Sequence, residues 1–182
     1  EITRKLQVSI QGNTKALTVN DKKETVQRYL GQLHAVVFNA DELEIVRGHP
    51  DARRRFLDAG IVSLHPPFIQ TFTDYSRVVK QKNALLQRAR DEETTTEKTA
   101  VLLAPWNEQL ATLASRIHRA RVRFVERING VLEKQLFGRE ELSIRYVSSL
   151  EGKGDLADYE ALITERLALR VHAEIISGHA LI

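Results

Sequence analysis

The chain has 182 residues, of which 42 % are hydrophobic, 28 % charged and 6 % aromatic, and its formal net charge is +3. This composition allows one packed core and favours helices over a dense β-sandwich. The absence of cysteine excludes disulfides and thiolate metal sites, and no apolar run approaches the roughly 20 residues that span a bilayer. With no secretory leader and no methionine, we expect a cytoplasmic chain that begins inside a longer gene product.

The first part of the chain predicts a small sheet with short helices. The predicted elements are strands at 6–10 and 16–20, a helix at 24–32, a buried strand at 34–38 and a helix that begins within 40–46. Gly12-Asn13 suits a tight turn between the first two strands. Gly48 interrupts the pattern, and Pro50 suits the first turn of a new helix that runs to about residue 64.

A longer helix is predicted from Pro66 to about Arg90. Its apolar residues recur at three-, four- or seven-residue steps and therefore share one face: Phe68, Phe72, Tyr75, Val79 and Leu86. The polar, threonine-rich segment 91–99 is interpreted as an exposed tip or a poorly ordered loop.

Pro105 is predicted to start a second long helix, which Gly138 ends. Its apolar residues mostly alternate steps of four and three, as in a coiled coil: Trp106, Leu110, Leu113, Ile117, Ala120, Phe124, Ile128 and Val131. Because such a seam needs a partner, we expect the two long helices to pack antiparallel across a tip at about 91–104.

The last part predicts a strand at 141–147 and a helix from Tyr159 to Ile176, stopped by Gly178. The fold class is therefore α+β and mainly α, with an antiparallel long-helix hairpin on a small partial β-sheet. Three domains are predicted: a partial α/β base at 1–48, a helical lobe at 49–138, and a returning strand and helix at 139–182.

Basic residues cluster on both long helices. On the second helix they form one stripe, through steps of three, four and four: Arg116, Arg119, Arg123 and Arg127. On the first helix, Arg77, Lys80 and Arg88 add positive charge. One interpretation is contact with the phosphate backbone of DNA, and the alternative is a solvated flank of a helix pair.

Motifs for nucleotide hydrolysis are absent from the chain. There is no G-x-x-x-x-G-K-[ST] phosphate loop, and no two histidines have the three- or four-residue spacing of a helical metal pair. Asp41, Glu42 and Glu44 could hold Mg²⁺, although such a cluster is more often a charged helix N-terminus. We therefore predict no catalysis, no cofactor and no metal site in this segment.

Residues 36–58 resemble the hallmark of the RecF family, V-x-F-[SA]-P-E-D-L-x-L-V-x-G-x-P-x-x-R-R-x-F-L-D. The matching residues are Val36, Phe38, Leu43, Val46, Gly48, Pro50, Arg53, Arg54, Phe56, Leu57 and Asp58. Residues 75–86 are similar to the family's Y-x-x-x-L-x-Q-R-N-x-L-L, residues 106–117 to its W-[DN]-x-x-L-x-x-x-x-x-x-I, and residues 165–182 to the stretch before its G-P-H-R-D-D motif.

This resemblance implies the helical lobe of a two-lobed ATPase of the ABC and SMC type. In the full-length protein it implies ATP and Mg²⁺, an ATP-dependent homodimer, DNA binding at gaps, and joint action with RecR and RecO to load RecA. Asp41 and Glu42 stand where the family has a Q-loop-like connection, but their order is swapped relative to the family, and the proline before them is lost. Lys82 replaces the family's arginine before Asn83.

The arginines at 53–55 have two possible roles: they can form ion pairs that fix the helical lobe, or they can contact DNA phosphates or a facing subunit. We expect structural roles for Arg54, Arg55 and Asp58, including an Arg54–Asp58 ion pair at i, i+4, and keep Arg53 as a DNA-binding candidate. Two other functions stay open: a standalone helical-hairpin adaptor whose seam docks a partner protein, and an SMC-like arm.

Overall fold

A computed structural model describes residues 3–35, 37, 39–133, 138 and 141–181. The chain divides into two compact units, Glu1–Gln70 and Thr71–Ile182. None of the described helices is both long and apolar enough to cross a bilayer.

The first unit opens with a three-stranded antiparallel sheet in the order β1-β2-β3. The strands are β1 (Leu6–Gln11), β2 (Thr14–Val19) and β3 (Lys22–Lys23). Gly12 turns the first hairpin with a φ of +56°, and Asn20 and Asp21 turn the second with φ values of +50° and +62°. The first two strands are confirmed, whereas the sequence did not predict β3, because two lysines carry no apolar alternation.

Short helices make up the rest of this unit. They are α1 (Val26–Leu30), a 3₁₀ turn (Ala40–Leu43), α2 (Glu44–Arg47), α3 (Pro50–Leu64) and a second 3₁₀ turn (Pro66–Phe68). Thr25 caps α1 by accepting a hydrogen bond from the Arg28 amide, and Pro50 occupies the first turn of α3, as predicted.

The strand predicted at 34–38 is not found in the residues of that stretch which the structure describes. His34, Ala35 and Val37 are exposed and belong to no strand. Val36 and Phe38 lie outside the described residues. A β-branched run indicates a strand only where a neighbouring strand can accept its backbone hydrogen bonds.

Within its described residues, the second unit contains three packed helices. They are α4 (Ile69–Asp91), which begins at the boundary of the units, α5 (Thr96–Leu132) and α6 (Tyr159–Ser177). One core cluster joins Val78 of α4 to Leu110 of α5 and to Leu162, Ile163 and Leu167 of α6. A second cluster consists of Leu86, Leu103 and Val171.

The order of these contacts fixes the helix directions. Moving from the first cluster to the second, the numbering rises along α4 and α6 and falls along α5. Helix α5 therefore runs antiparallel to both neighbours, and Trp106 packs against the first cluster with Val78. The predicted antiparallel hairpin, in a mainly helical chain with a small antiparallel sheet, is confirmed.

The turn between α4 and α5 is shorter than the segment 91–104 that the sequence suggested. Helix α4 closes with hydrogen bonds from the Thr94 amide to the Ala89 carbonyl and from the Glu93 amide to the Arg90 carbonyl. Thr95 then caps α5, so the next helix starts at Thr96. Pro105 lies inside α5, where it removes one backbone hydrogen bond without ending the helix, because Leu103 and Leu110 on either side are buried.

The prediction of a strand at 141–147 was wrong. The segment is irregular, and its backbone is held by a side chain instead of a strand. The Asn129 side-chain amide donates to the Ile144 carbonyl at 2.8 Å and accepts from the Ile144 amide at 2.9 Å. One side chain thus satisfies both backbone groups that a neighbouring strand would have paired.

Candidate nucleic-acid interface and the buried ion pair

The arginine stripe of α5 is the most concentrated positive surface that the sequence predicted. Arg116, Arg119, Arg123 and Arg127 are all exposed. At 100° per residue they cluster on the side of the helix opposite His118 and Val125, which are buried. The structure therefore brings these four candidates together on one outward face of a helix held by packing.

The basic candidates of α4 are arranged differently. Arg77 pairs with Asp74 at 3.1 Å, and Arg88 pairs with Glu92 at 2.8 Å. Lys80 is exposed. Acidic neighbours on the same helix thus offset part of this charge, so α4 presents a weaker positive surface than α5.

The arginines of α3 lie in the first unit. Arg53 donates from Nη1 to the carbonyls of Gly48, at 3.1 Å, and Ile45, at 3.4 Å, so it contacts the backbone at the end of α2. Arg54 forms an ion pair with Asp51, and this hydrogen bond and charge hold the pKa of Asp51 below its ordinary value. Arg55 is exposed and Asp58 is half-buried.

Asp41 and Glu42 lie in the 3₁₀ turn that precedes α2. The Asn39 side chain caps this turn by accepting from the Asp41 amide at 2.9 Å. Among the described residues, no group of three histidine, aspartate or glutamate side chains could hold a metal ion. Asp41 and Glu42 therefore stay candidates that the sequence alone suggests.

A buried ion pair joins α4 to α6. Lys82 Nζ lies 2.9 Å from Glu174 Oε1 and 2.8 Å from Oε2, and both side chains are 0 % exposed. Burial lowers the pKa of Lys82, while the hydrogen bond and charge of Glu174 act in the opposite direction. Such a pair is stable only when both partners are present, because either charge alone would be desolvated.

The same two helices hold the residues that follow α6. Glu174 Oε1 also accepts a hydrogen bond from the Leu181 amide at 2.9 Å, and Asn83 Oδ1 accepts one from the Ala180 amide at 2.7 Å. Gly178 ends α6 with a φ of +70°, as predicted. Polar groups in the helical core therefore fix the course of the chain after α6.

The sequence analysis missed this pair, although a signal for it was present. Lys82 lies four residues from both Val78 and Leu86 on the inward face of α4, and Glu174 lies three residues from Val171 on the inward face of α6. One opposite charge on each of two apolar faces is the pattern of a buried pair.

The sequence was compared with those of known proteins, and several relatives match. The chain is 41 % identical over 122 residues to "DNA replication and repair protein RecF" of Synechococcus sp. (strain JA-3-3Ab), a match that covers 65 % of this chain and 31 % of the relative. It is 35 % identical over 166 residues to the protein of that name in Thermosynechococcus vestitus, covering 87 % of this chain and 43 % of the relative. No protein-family model matches.

Two solved structures have the same fold. One is the recombination mediator protein RecF with ATP, with a TM-score of 0.85 and 24 % identity, and the match covers 98 % of this chain and 48 % of that chain. The other is RecF with ATPrS, with a TM-score of 0.84 and 22 % identity, covering 98 % and 49 %.

The fold is thus the one that these two RecF structures have over about half of their length. The chain belongs to the RecF family, which confirms the resemblance read from residues 36–58 and beyond. It spans about a third to two fifths of the length of the curated relatives that it matches.

Proposed function

We propose that the chain is a DNA-binding helical lobe of a RecF-type replication and repair protein, and that α5 contacts DNA. The observation that supports this proposal is the set of four exposed arginines on one face of α5. At 1.5 Å per residue, the stripe from Arg116 to Arg127 is roughly 16 Å long, which is enough to reach several phosphates. Contacts of this kind bind the backbone without reading the sequence.

The family resemblance extends the proposal to the full-length protein. There, ATP and Mg²⁺ would support a homodimer that binds DNA at gaps and acts with RecR and RecO to load the recombinase. The relatives' name, "DNA replication and repair protein RecF", and the solved RecF–ATP structure are in keeping with this role. The part of this chain would be to contact DNA and to support the helical lobe.

Charge reversal on α5 tests the proposal. Arg119→Glu combined with Arg123→Glu replaces attraction of phosphate by repulsion, so we expect affinity for a gapped duplex to fall about tenfold or more. Fluorescence anisotropy with a labelled gapped duplex at fixed salt measures this change.

The matched control is Lys22→Glu combined with Lys23→Glu, which changes the net charge equally at two exposed residues of β3. We expect the control to bind like the wild type. Unchanged affinity in the α5 variant, with its helical circular dichroism spectrum retained, eliminates the proposal.

A protein-docking role is the second candidate. The α5 seam is not free for this purpose, because Leu103 and Leu110 are buried within the chain. Leu169 and Ile176 on α6 are instead 68 % and 65 % exposed. Binding of purified RecR that is lost on changing both residues to serine, with DNA affinity unaltered, would support docking on α6.

A further inference from the structure

The outward face of α6 carries apolar side chains that nothing in the described part of the chain covers. Leu169 is 68 % exposed and Ile176 is 65 % exposed. At 100° per residue, six exposed residues share an arc of about 100° on the side of the helix opposite the buried Leu167. These six residues are Ala161, Glu165, Ala168, Leu169, His172 and Ile176.

The six residues are arranged symmetrically about the point between Ala168 and Leu169. The steps between them are four, three, one, three and four, whichever end of the helix is taken first. A second, antiparallel copy of α6 that is centred at this point therefore places every residue of the face against another residue of the same face. Two-fold symmetry then forms each of these contacts twice.

The apolar contacts that result are complementary in size. Ala161 lies opposite Ile176, and Ala168 lies opposite Leu169, so a small side chain meets a large one at each apolar level. Alanine at these positions lets two helix axes approach to the roughly 8–10 Å of ordinary helix packing. The two large side chains that are exposed in one copy are then covered by the other.

The polar contacts are complementary in charge. In the antiparallel pair, Glu165 of each copy lies opposite His172 of the other, where the carboxylate can accept a hydrogen bond from the imidazole. Within one helix the two residues are roughly 10 Å apart along the axis, too far for this contact. A parallel pair would instead place Glu165 against Glu165, which like charges disfavour.

We propose that the chain associates with a second copy of itself through α6, as an antiparallel pair of identical helices. Each copy contributes only one helix face, so the interface buries less than the roughly 1,200 Å² at which stable complexes begin, and association is weak and reversible. The contact requires neither DNA nor nucleotide. It therefore stands independently of the proposed contact between α5 and DNA.

Sedimentation velocity over micromolar to submillimolar concentrations, without nucleotide, tests the inference. We expect the wild-type chain to shift from monomer to dimer as its concentration rises. His172→Glu places two carboxylates opposite each other at both ends of the pair and should weaken the dimer about tenfold or more. Gln109→Glu, at an exposed position of α5, also makes the chain more acidic and should leave the dimer unchanged.

A charge swap identifies the antiparallel register. Glu165→Lys combined with His172→Glu restores opposite charges between the two copies, so the double variant should dimerise within about threefold of the wild type. Damage to α6 itself by His172→Glu would not be repaired by a substitution two turns away. If His172→Glu fails to fold, as judged by circular dichroism, Leu169→Ser combined with Ile176→Ser should give a folded monomer.

Three results would overturn the inference. The first is a wild-type chain that sediments as a monomer at every concentration. The second is a dimer that withstands His172→Glu or Leu169→Ser/Ile176→Ser, or that the charge swap does not restore. The third is a monomeric chain that binds purified RecR through Leu169 and Ile176, because the face would then belong to that protein.

Discussion

Replacing Lys82 by methionine is expected to lower the free energy of unfolding by about 3–5 kcal/mol, because it leaves the Glu174 carboxylate buried without a counter-charge. Urea denaturation followed by circular dichroism at 222 nm measures this loss. Lys80→Met, at an exposed position of the same helix, is the control and should change stability by no more than about 0.5 kcal/mol.

A double variant separates charge from packing. Lys82→Met with Glu174→Gln removes both charges, while the glutamine oxygen can still accept the Leu181 amide. Because an uncharged pair avoids most of the desolvation cost, the double variant should recover most of the lost stability. A double variant as unstable as Lys82→Met alone would show that the ion pair is not the source of the effect.

Leu110→Ala is expected to cost about 2–5 kcal/mol of unfolding free energy. Leu110 is 0 % exposed and lies where α4, α5 and α6 meet, so its truncation leaves a cavity that three helices cannot all close. Leu102→Ala on the same helix, at a position that is 54 % exposed, should be nearly neutral. Equal midpoints of denaturation for the two variants would contradict the three-helix core.

The helices could be predicted from the sequence because their signals are local. Pro50 at a helix start, Gly178 at a helix end and the apolar steps of α4 and α6 each involve residues within a turn or two of one another. The start of α5 was misplaced because Pro105 is a strong start signal, while the Thr95 cap lies in a polar run that is also typical of a loop.

The failures involve partners that are distant in the chain. The alternation at 141–147 fits a strand, but the partner of its backbone is the side chain of Asn129. Lys82 and Glu174 are 92 residues apart, and no local pattern pairs them. Pairing across such distances depends on how the helices pack, which periodicity does not specify.

In the candidate interface, too, the features set by local spacing could be predicted and the long-range contacts could not. Helical spacing alone placed Arg116, Arg119, Arg123 and Arg127 on one face, and the structure adds that this face is exposed. His118 and Tyr146 come from separate segments, and their contact, with ring centroids 5.5 Å apart, could not be predicted because it depends on the course of the irregular segment before α6.

The salt dependence of DNA binding tests the central claim most directly. For the wild-type chain and for Arg119→Ala/Arg123→Ala, the logarithm of the association constant for a gapped duplex is plotted against the logarithm of salt concentration. If both arginines contact phosphates, the slope for the variant is shallower by roughly 0.9 for each arginine removed. Identical slopes for the two proteins would contradict phosphate contact by the α5 stripe.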